Sequence, residues 1–254
     1  MLGTTTAVLL VGGMGTRLAS VVPSTPKPLA SLGDRSFLDL LIGQLRHQEV
    51  CRLVMCTGYL AGQIESRFGD GRDLGMAICY STEPHPLGTA GAVKFARHHL
   101  EDTAEFLVMN GDSFLEMDFG RLIRFHREHG GLMSMAVLKV PNARRYGTVH
   151  VGPGDRVTGF AEKSDGDAPG LVNGGVYVFS RSVLDHIPEG PASLERDVLP
   201  RLLTHGVYAL EEDGMFIDIG TPEDYARAQA ICDRLYAVAL TESNPTVAPK
   251  HEGH

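Results

Sequence analysis

Three kinds of group stand close together near the start of the chain, and together they could grip a polyphosphate. Gly12, Gly13 and Gly15 follow the apolar run Ala7 to Val11. Without a Cβ, such a turn can approach a ligand closely, and its successive N–H groups form a concave anion site. Arg17 follows, a fixed charge whose planar fork matches phosphate oxygens. Lys27 lies between Pro26 and Pro28, which stiffen the backbone on both sides of the amine.

Two familiar phosphate motifs fit this stretch poorly. In a dinucleotide fingerprint, G-x-G-x-x-G, Gly13 and Gly15 match, but the third position is Leu18 and Arg17 would crowd a pyrophosphate already held on a helix N-terminus. A P-loop needs Gly-Lys-Ser/Thr, and that tripeptide is absent from the sequence. A tight turn with a solvated Arg and Lys would explain a lone GGxG. The added Arg17 and Pro-Lys-Pro make that reading much the weaker one.

Two carboxylates are the next candidates. Asp112 directly follows the apolar run Phe106 to Asn110, and Asp218 lies within a second apolar stretch, Phe216 to Gly220. Open α/β sheets place ligands at the carboxyl ends of parallel strands. Two carboxylates meeting there could share Mg²⁺, which takes oxygen ligands and keeps waters and substrate phosphates in its shell. Each Asp could equally cap a turn or pair with a local Lys. Glu162-Lys163, read without context, is an exposed ion pair. Glu195 and Asp197, two apart on an expected helix, point in different directions. His98, His99, His126, His129 and His205 read as surface or helix-end histidines, since no H-x-x-x-H pair has a third ligand near it. Met133 and Met135 read as core.

The elements that must position these groups alternate in type. Strands are expected at 7–11, 52–57, 76–81 and 106–110, with helices at 37–48, 61–68 and 89–98 between them. That alternation predicts right-handed βαβ crossovers and a mainly parallel sheet. The second half changes character. It reads as a strand at 132–140, a hairpin of 148–151 and 157–163, a strand at 176–180, and a helix at 193–204 capped by Ser193. A strand at 215–220 and a long helix at 221–240 capped by Thr221 follow. No linker rich in Pro, Gly or Ser divides the halves. The expectation is one domain over 1–240 with a mixed sheet, followed by a flexible polar tail over 241–254.

Composition narrows the class. Hydrophobic residues are 43% and charged residues 21%, ordinary values for a globular protein, and 254 residues can bury a sizeable core. The balance of 23 Lys and Arg against 31 Asp and Glu, net −8, argues against a nucleic-acid partner, which wants a basic face. The four cysteines show neither C-x-x-C nor zinc spacing, as expected of free thiols in a reducing compartment. No signal peptide and no membrane-length apolar run is visible, so a cytoplasmic protein with no membrane partner is expected. The sequence leaves homo-oligomerisation open.

GGMGTRL followed by PKPL resembles the signature of the sugar-phosphate nucleotidyltransferases, or nucleotide-sugar pyrophosphorylases. These enzymes join a sugar 1-phosphate to a nucleoside triphosphate and release pyrophosphate. The resemblance runs from about residue 5 to 236. It implies a Rossmann-like three-layer α/β fold with a mixed, mainly parallel central sheet, of the nucleotide-diphospho-sugar transferase type. It also implies that Leu10, Gly12, Gly13, Gly15, Thr16 and Arg17 hold the nucleotide. The Leu87-Gly88-Thr89 loop would serve base recognition. Apart from the resemblance, Glu83 a few residues upstream carries an acidic side chain that could accept from a guanine edge. Asp112 and Asp218 match the family's metal-binding aspartates for Mg²⁺. Glu162 and Lys163 would bind the sugar 1-phosphate, with Gly147, Asn173 and Glu195 about the sugar. Arg17, Lys27, Asp112 and Lys163 would be the catalytic set.

Within the family, PLGTAGAVK, FLVMNGDS, NGGVYVFS, SLERDVLP and FIDIGTPEDY are most similar to the D-glycero-α-D-manno-heptose 1-phosphate guanylyltransferases, and also to mannose 1-phosphate guanylyltransferases. The resemblance therefore implies GTP and a sugar 1-phosphate as partners. Other nucleotide-sugar pyrophosphorylases, using UTP, dTTP or CTP, remain an alternative, as do non-catalytic relatives that only bind nucleotide sugars. Intact Arg17, Lys27, Asp112 and Asp218 speak against the last.

Overall fold

The structure, a computed structural model, describes residues 2–18, 20–143, 146–161 and 168–240. Strand β1 (Thr6–Leu10) is almost wholly apolar and buried. A short hairpin of β2 (Ser31–Leu32) and β3 (Arg35–Ser36) leads into helix α1 (Phe37–His47). Ser36 and Asp39 close a capping box at its start, each side chain bonding the other's backbone N–H, so two otherwise unpaired donors are met. Then follow β4 (Arg52–Thr57), α2 (Ala61–Phe68), β5 (Ala77–Thr82), α3 (Gly88–Phe95) and β6 (Glu105–Asn110). The second half runs through β7 (Ser113–Leu115), α4 (Phe119–His129), β8 (Met133–Val140), β9 (Thr148–Val151), β10 (Val157–Ala161) and β11 (Gly170–Ser180). It ends with α5 (Leu199–Leu202), β12 (Val207–Glu212), β13 (Phe216–Asp218), α6 (Pro222–Ala230) and α7 (Cys232–Ala239).

The central sheet is mixed and mainly parallel. Along the row β12-β8-β11-β6-β1-β4-β5, four of the six neighbouring pairs are parallel, and only β11 runs against both its neighbours. The β9–β10 hairpin attaches to β11 through Thr148 opposite Val172. Alternate residues of β1 enter different cores. Ala7 and Leu9 join the layer containing α1, α4 and α7, whereas Val8 joins the layer containing α3 and α5. A strand buried on both faces reads as a continuous apolar run, which is why Ala7 to Val11 does.

The strand order sets the site. The chain steps outward from β1 to β4 to β5, then returns to lay β6 on the opposite side of β1. The loops leaving β1 and β6 therefore diverge, opening a crevice at the carboxyl ends of both strands. The glycine turn follows β1 and Asp112 follows β6.

Several local expectations are corrected. The long C-terminal helix breaks at Ile231 (φ −121°, ψ 19°), so α6 and α7 can follow different surfaces, α7 packing on α1. The helix expected at 193–204 begins as a wide π turn, Leu194–Val198, and becomes α-helical only at Leu199. Pro200 has no N–H to give an α-helical bond, and the Leu199 N–H bonds five residues back to Leu194 O instead. Helix α4, β7, β12 and the first half of β11 are additional to the elements expected from the sequence. His126 stands in the last turn of α4, as expected of a helix-end histidine, but not on the surface. It is buried, with Nδ1 3.0 Å from Ser134 Oγ and Nε2 3.0 Å from Ser180 Oγ, tying α4 to β8 and β11. Burial lowers its pKa, so it sits in the core as a neutral ring.

Candidate active site

A cleft of about 490 Å³ opens at the switch point between β1 and β6. Its first wall is the glycine turn, with Leu10, Gly12, Gly13, Gly15, Thr16 and Arg17 on the lining. Leu18 is buried and its N–H bonds to Gly15 O at 2.9 Å, so it plugs the turn into the core and leaves Arg17 exposed above it. This explains the departure from the dinucleotide fingerprint: Leu18 holds the loop down where a third glycine would let a helix begin. Gly15 has φ +57°, and a Cβ there would lie 2.8 Å from Lys27 Cβ. The turn and the Lys27 segment thus pack with no room between them.

Lys27 opens a single 3₁₀ turn, Lys27–Leu29, preceded by Pro26 and followed by buried Pro28. Its ammonium reaches 2.6 Å from Asp112 Oδ2, and its side chain is only 10% exposed. Asp218 arrives beside them because β7 and β13 form an antiparallel ribbon that sets Asp218 opposite Ser113. The Ile219 N–H bonds to Asp112 O at 2.9 Å, and the Gly220 N–H donates to the Asp218 carboxylate. Burial, reinforced by the negative charge of Asp112, pushes the Asp218 carboxyl above its ordinary range. The Lys27 ammonium works in the opposite direction.

The two aspartates suit a hard divalent cation. Their oxygens are the right donor type, and a positive charge would relieve the burial and repulsion that disfavour the ionised Asp218. Among the described residues no group of three or more His, Cys, Asp or Glu is arranged to hold a metal. The protein would supply two carboxylates and leave the remaining positions to water and phosphate, as Mg²⁺ sites commonly do.

The opposite wall combines two segments far apart in sequence. Ala90 and Gly91 N–H groups bond to Ala192 O at 3.0 and 3.1 Å, and Ala192 N–H returns to Leu87 O at 2.8 Å. Gly88 (φ +70°) allows this contact, since a Cβ there would stand 2.6 Å from Ala192 O. Thr89 Oγ1 accepts from Leu194 N–H at 2.7 Å and donates to Glu195 Oε2 at 3.3 Å. Asp197 turns away and accepts from Ser193 N–H. Glu83 also lines the cleft. One carboxylate oxygen accepts from Leu87 N–H at 3.1 Å, and partial burial raises the acid's pKa against that bond.

Thirteen of the residues singled out from the sequence therefore line one cleft: the six of the glycine wall, Lys27, Glu83, Gly88, Thr89, Asp112, Glu195 and Asp218. Gly147 and Asn173 do not line it. Asn173 is committed to its own strand: Nδ2 donates to Tyr177 OH at 2.5 Å and Oδ1 accepts from Gly175 N–H at 2.9 Å, across the irregularity in the β11–β8 pairing. Glu162 and Lys163 lie outside the described residues, as does the tail 241–254. The lining also includes Met14, Pro86, Ala92, Asn110 and Gly220, which sequence reasoning passed over. Asn110 and Gly220 were within reach, since each lies two residues from a candidate aspartate.

The profile of a family described as Nucleotidyl transferase matches residues 6–234. The chain belongs to this family. Among sequence relatives, a mannose-1-phosphate guanylyltransferase of Mycobacterium tuberculosis is 38% identical over 229 residues, 88% of this chain and 63% of the relative. A probable mannose-1-phosphate guanylyltransferase 1 of Oryza sativa is 36% identical, over 94% of this chain and 66% of the relative. The chain thus spans just under two thirds of the length of these curated relatives. Among solved structures, HddC of Yersinia pseudotuberculosis complexed with GMP-PN superposes with a TM-score of 0.80 at 31% identity, covering 89% of this chain and 99% of that one. A putative glucose-1-phosphate thymidylyltransferase of Bacillus anthracis gives a TM-score of 0.80 at 20% identity, a likeness of fold alone. The fold is that of the sugar nucleotidyltransferases. Among the described residues no helix is long and apolar enough to cross a membrane.

Proposed function

We propose that this chain is a sugar 1-phosphate guanylyltransferase, joining GTP to a manno-configured sugar 1-phosphate with release of pyrophosphate. The observation that carries the reading is the Lys27–Asp112 pair, 2.6 Å apart beside Asp218 and lining one cleft together with the glycine turn. Guanine is favoured by the names of the sequence relatives and by the GMP-PN in the HddC complex.

The reaction is an in-line attack by an already ionised phosphate oxygen of the sugar 1-phosphate on the α-phosphorus of GTP. Two polyanions must meet, so positioning and charge stabilisation do most of the work. The glycine turn and Arg17 bind the departing β- and γ-phosphates. Lys27 offsets charge between the two reacting phosphates, while Lys163 anchors the attacking one. Glu83 and the 87–89 loop read the base, and Glu195 takes sugar hydroxyls. Asp112 and Asp218 hold Mg²⁺, which when bound neutralises phosphate charge.

For the sugar, the motif resemblance favours D-glycero-α-D-manno-heptose 1-phosphate. Mannose 1-phosphate is the second reading, favoured by the 38% identical relative. Pyrophosphate release from GTP, ATP, UTP, CTP and dTTP against heptose, mannose, glucose and N-acetyl sugar 1-phosphates, with Mg²⁺, tests all of this. Release confined to GTP and the heptose substrate supports the full reading. Release with GTP and mannose 1-phosphate alone replaces the sugar. Folded protein that releases nothing, yet melts at higher temperature with nucleotide sugar, overturns catalysis in favour of a binding protein.

A further inference from the structure

The Lys27 segment is held from an unexpected direction. Four residues after Lys27, the Ser31 carbonyl accepts two hydrogen bonds from α6: Tyr225 OH at 2.6 Å and Gln229 Nε2 at 2.6 Å. Gln229 Nε2 also donates to Tyr225 OH at 2.8 Å, and Gln229 Oε1 accepts from Gly33 N–H at 3.2 Å. The amide thus reads both a C=O and an N–H of the β2–β3 hairpin, and every polar atom of the pair is used in one orientation only. Tyr225 and Gln229 are four apart, so they share one face of the helix.

That helix begins two residues beyond Gly220. Thr221 caps it, its hydroxyl accepting from Asp224 N–H. At the other end of the tie, Ala30 N–H bonds back to Lys27 O at 3.0 Å. A closed circuit results. Lys27 meets Asp112 at 2.6 Å, Asp112 O takes the Ile219 N–H, the chain enters α6, and α6 returns through Gln229 and Tyr225 to the segment that began at Lys27. Neither Tyr225 nor Gln229 lines the cleft.

We propose that Gln229 and Tyr225 are positioning residues that fix the Lys27 ammonium on Asp112 in the cleft, a role that rests on the guanylyltransferase reading. The lysine stem has four rotatable carbons, and only a fixed starting backbone keeps its amine at one point. A displacement near 1 Å from a remote substitution can cost about 100-fold in rate.

The test uses Gln229→Leu and Tyr225→Phe in the full chain, with Lys27→Met as reference. With the active substrate pair, kcat falls about 10- to 100-fold in Gln229→Leu, while KM for both substrates stays within about 2-fold. In the Lys27→Met background the same change has little further effect, since both act through one group. Equal loss in both backgrounds, or a loss confined to KM, overturns the proposal. A second readout needs no catalysis: peptide-mapped acetylation of lysines by an amine reagent. Lys27 gains reactivity severalfold in Gln229→Leu while Lys94 and Lys139 keep theirs. Unchanged Lys27 reactivity overturns the proposal even if the wild-type chain releases no pyrophosphate, a result that by itself would count against the function alone.

Discussion

Lys27 Nζ and Asp112 Oδ2 lie 2.6 Å apart although 85 residues separate them. The lysine could not occupy its place alone, whereas the Asp112 side chain is 39% exposed. An amine with 10% of its side chain exposed needs a partner, and Asp218 nearby adds a second negative charge that the same amine moderates. Replacing Lys27 by Met removes that charge and leaves the two carboxylates facing each other. Pyrophosphate release should fall by about 3–4 kcal/mol of barrier, a few hundredfold or more, with most of the loss in kcat. Steady-state kinetics with the active pair, alongside a melting curve to confirm the fold, checks this.

Asp218 should be as sensitive, but through the cation. Its burial beside Asp112 makes the ionised form costly unless positive charge is supplied. Chelation should abolish pyrophosphate release and Mg²⁺ should restore it. Asp218→Asn should raise the Mg²⁺ concentration needed for half-maximal rate by at least about tenfold. A titration of rate against Mg²⁺ for both proteins reads the shift, and an unchanged midpoint would remove Asp218 from the metal site.

Asn173 and Tyr177 give a stability prediction. Tyr177 is fully buried, and its hydroxyl accepts the Asn173 amide across the β11 irregularity. Asn173→Ala strands that hydroxyl and the Gly175 N–H, a loss of about 1–3 kcal/mol. Tyr177→Phe removes the stranded group, so the double variant should lose less than the sum of the single changes. Urea unfolding of the four proteins closes the cycle. If Asn173 instead serves chiefly to contact the sugar, Asn173→Ala will change KM for the sugar 1-phosphate and leave stability nearly intact.

Glu212 sets a pH dependence remote from the cleft. Its carboxylate pairs with Arg121 at 2.8 Å, while Oε1 is buried with no hydrogen-bond partner among the described residues. Burial outweighs Arg121 and pushes its pKa up to about 7 from 4.5. A raised folded pKa means the unfolded chain gives up this proton first. The stabilisation from Glu212 is therefore complete below about pH 4.5 and is lost as pH rises through about 7. Glu212→Gln should flatten that slope, changing the stability difference between pH 4.5 and pH 8 by about 1–3 kcal/mol relative to wild type. Unfolding free energies at the two pH values decide it. An identical slope in both proteins would show that Glu212 is not the group.

The residue types and their order carried much of this molecule's description. The apolar run of β1, the glycines, Arg17 and the proline-flanked Lys27 are local features, and local steric rules fix what such a stretch can do. Strand-helix alternation through the first half likewise reads directly as a parallel sheet. Where nearby chain features compete, the sequence is less informative. Pro200 and the π turn at Leu194–Val198 interrupt a pattern whose apolar spacing alone suits a plain helix. His126 carries an ordinary polar side chain at a helix end, and only the arrival of Ser134 and Ser180 from two strands makes it a core residue. The pairing of Lys27 with Asp112, the meeting of Thr89 with Glu195 and the tie from Gln229 to Ser31 join residues 85, 106 and 198 positions apart. Sequence determined which chemical groups were available. Tertiary structure decided which of them touch, because hydrogen bonds and ion pairs act over a few ångströms in space and carry no record of separation along the chain.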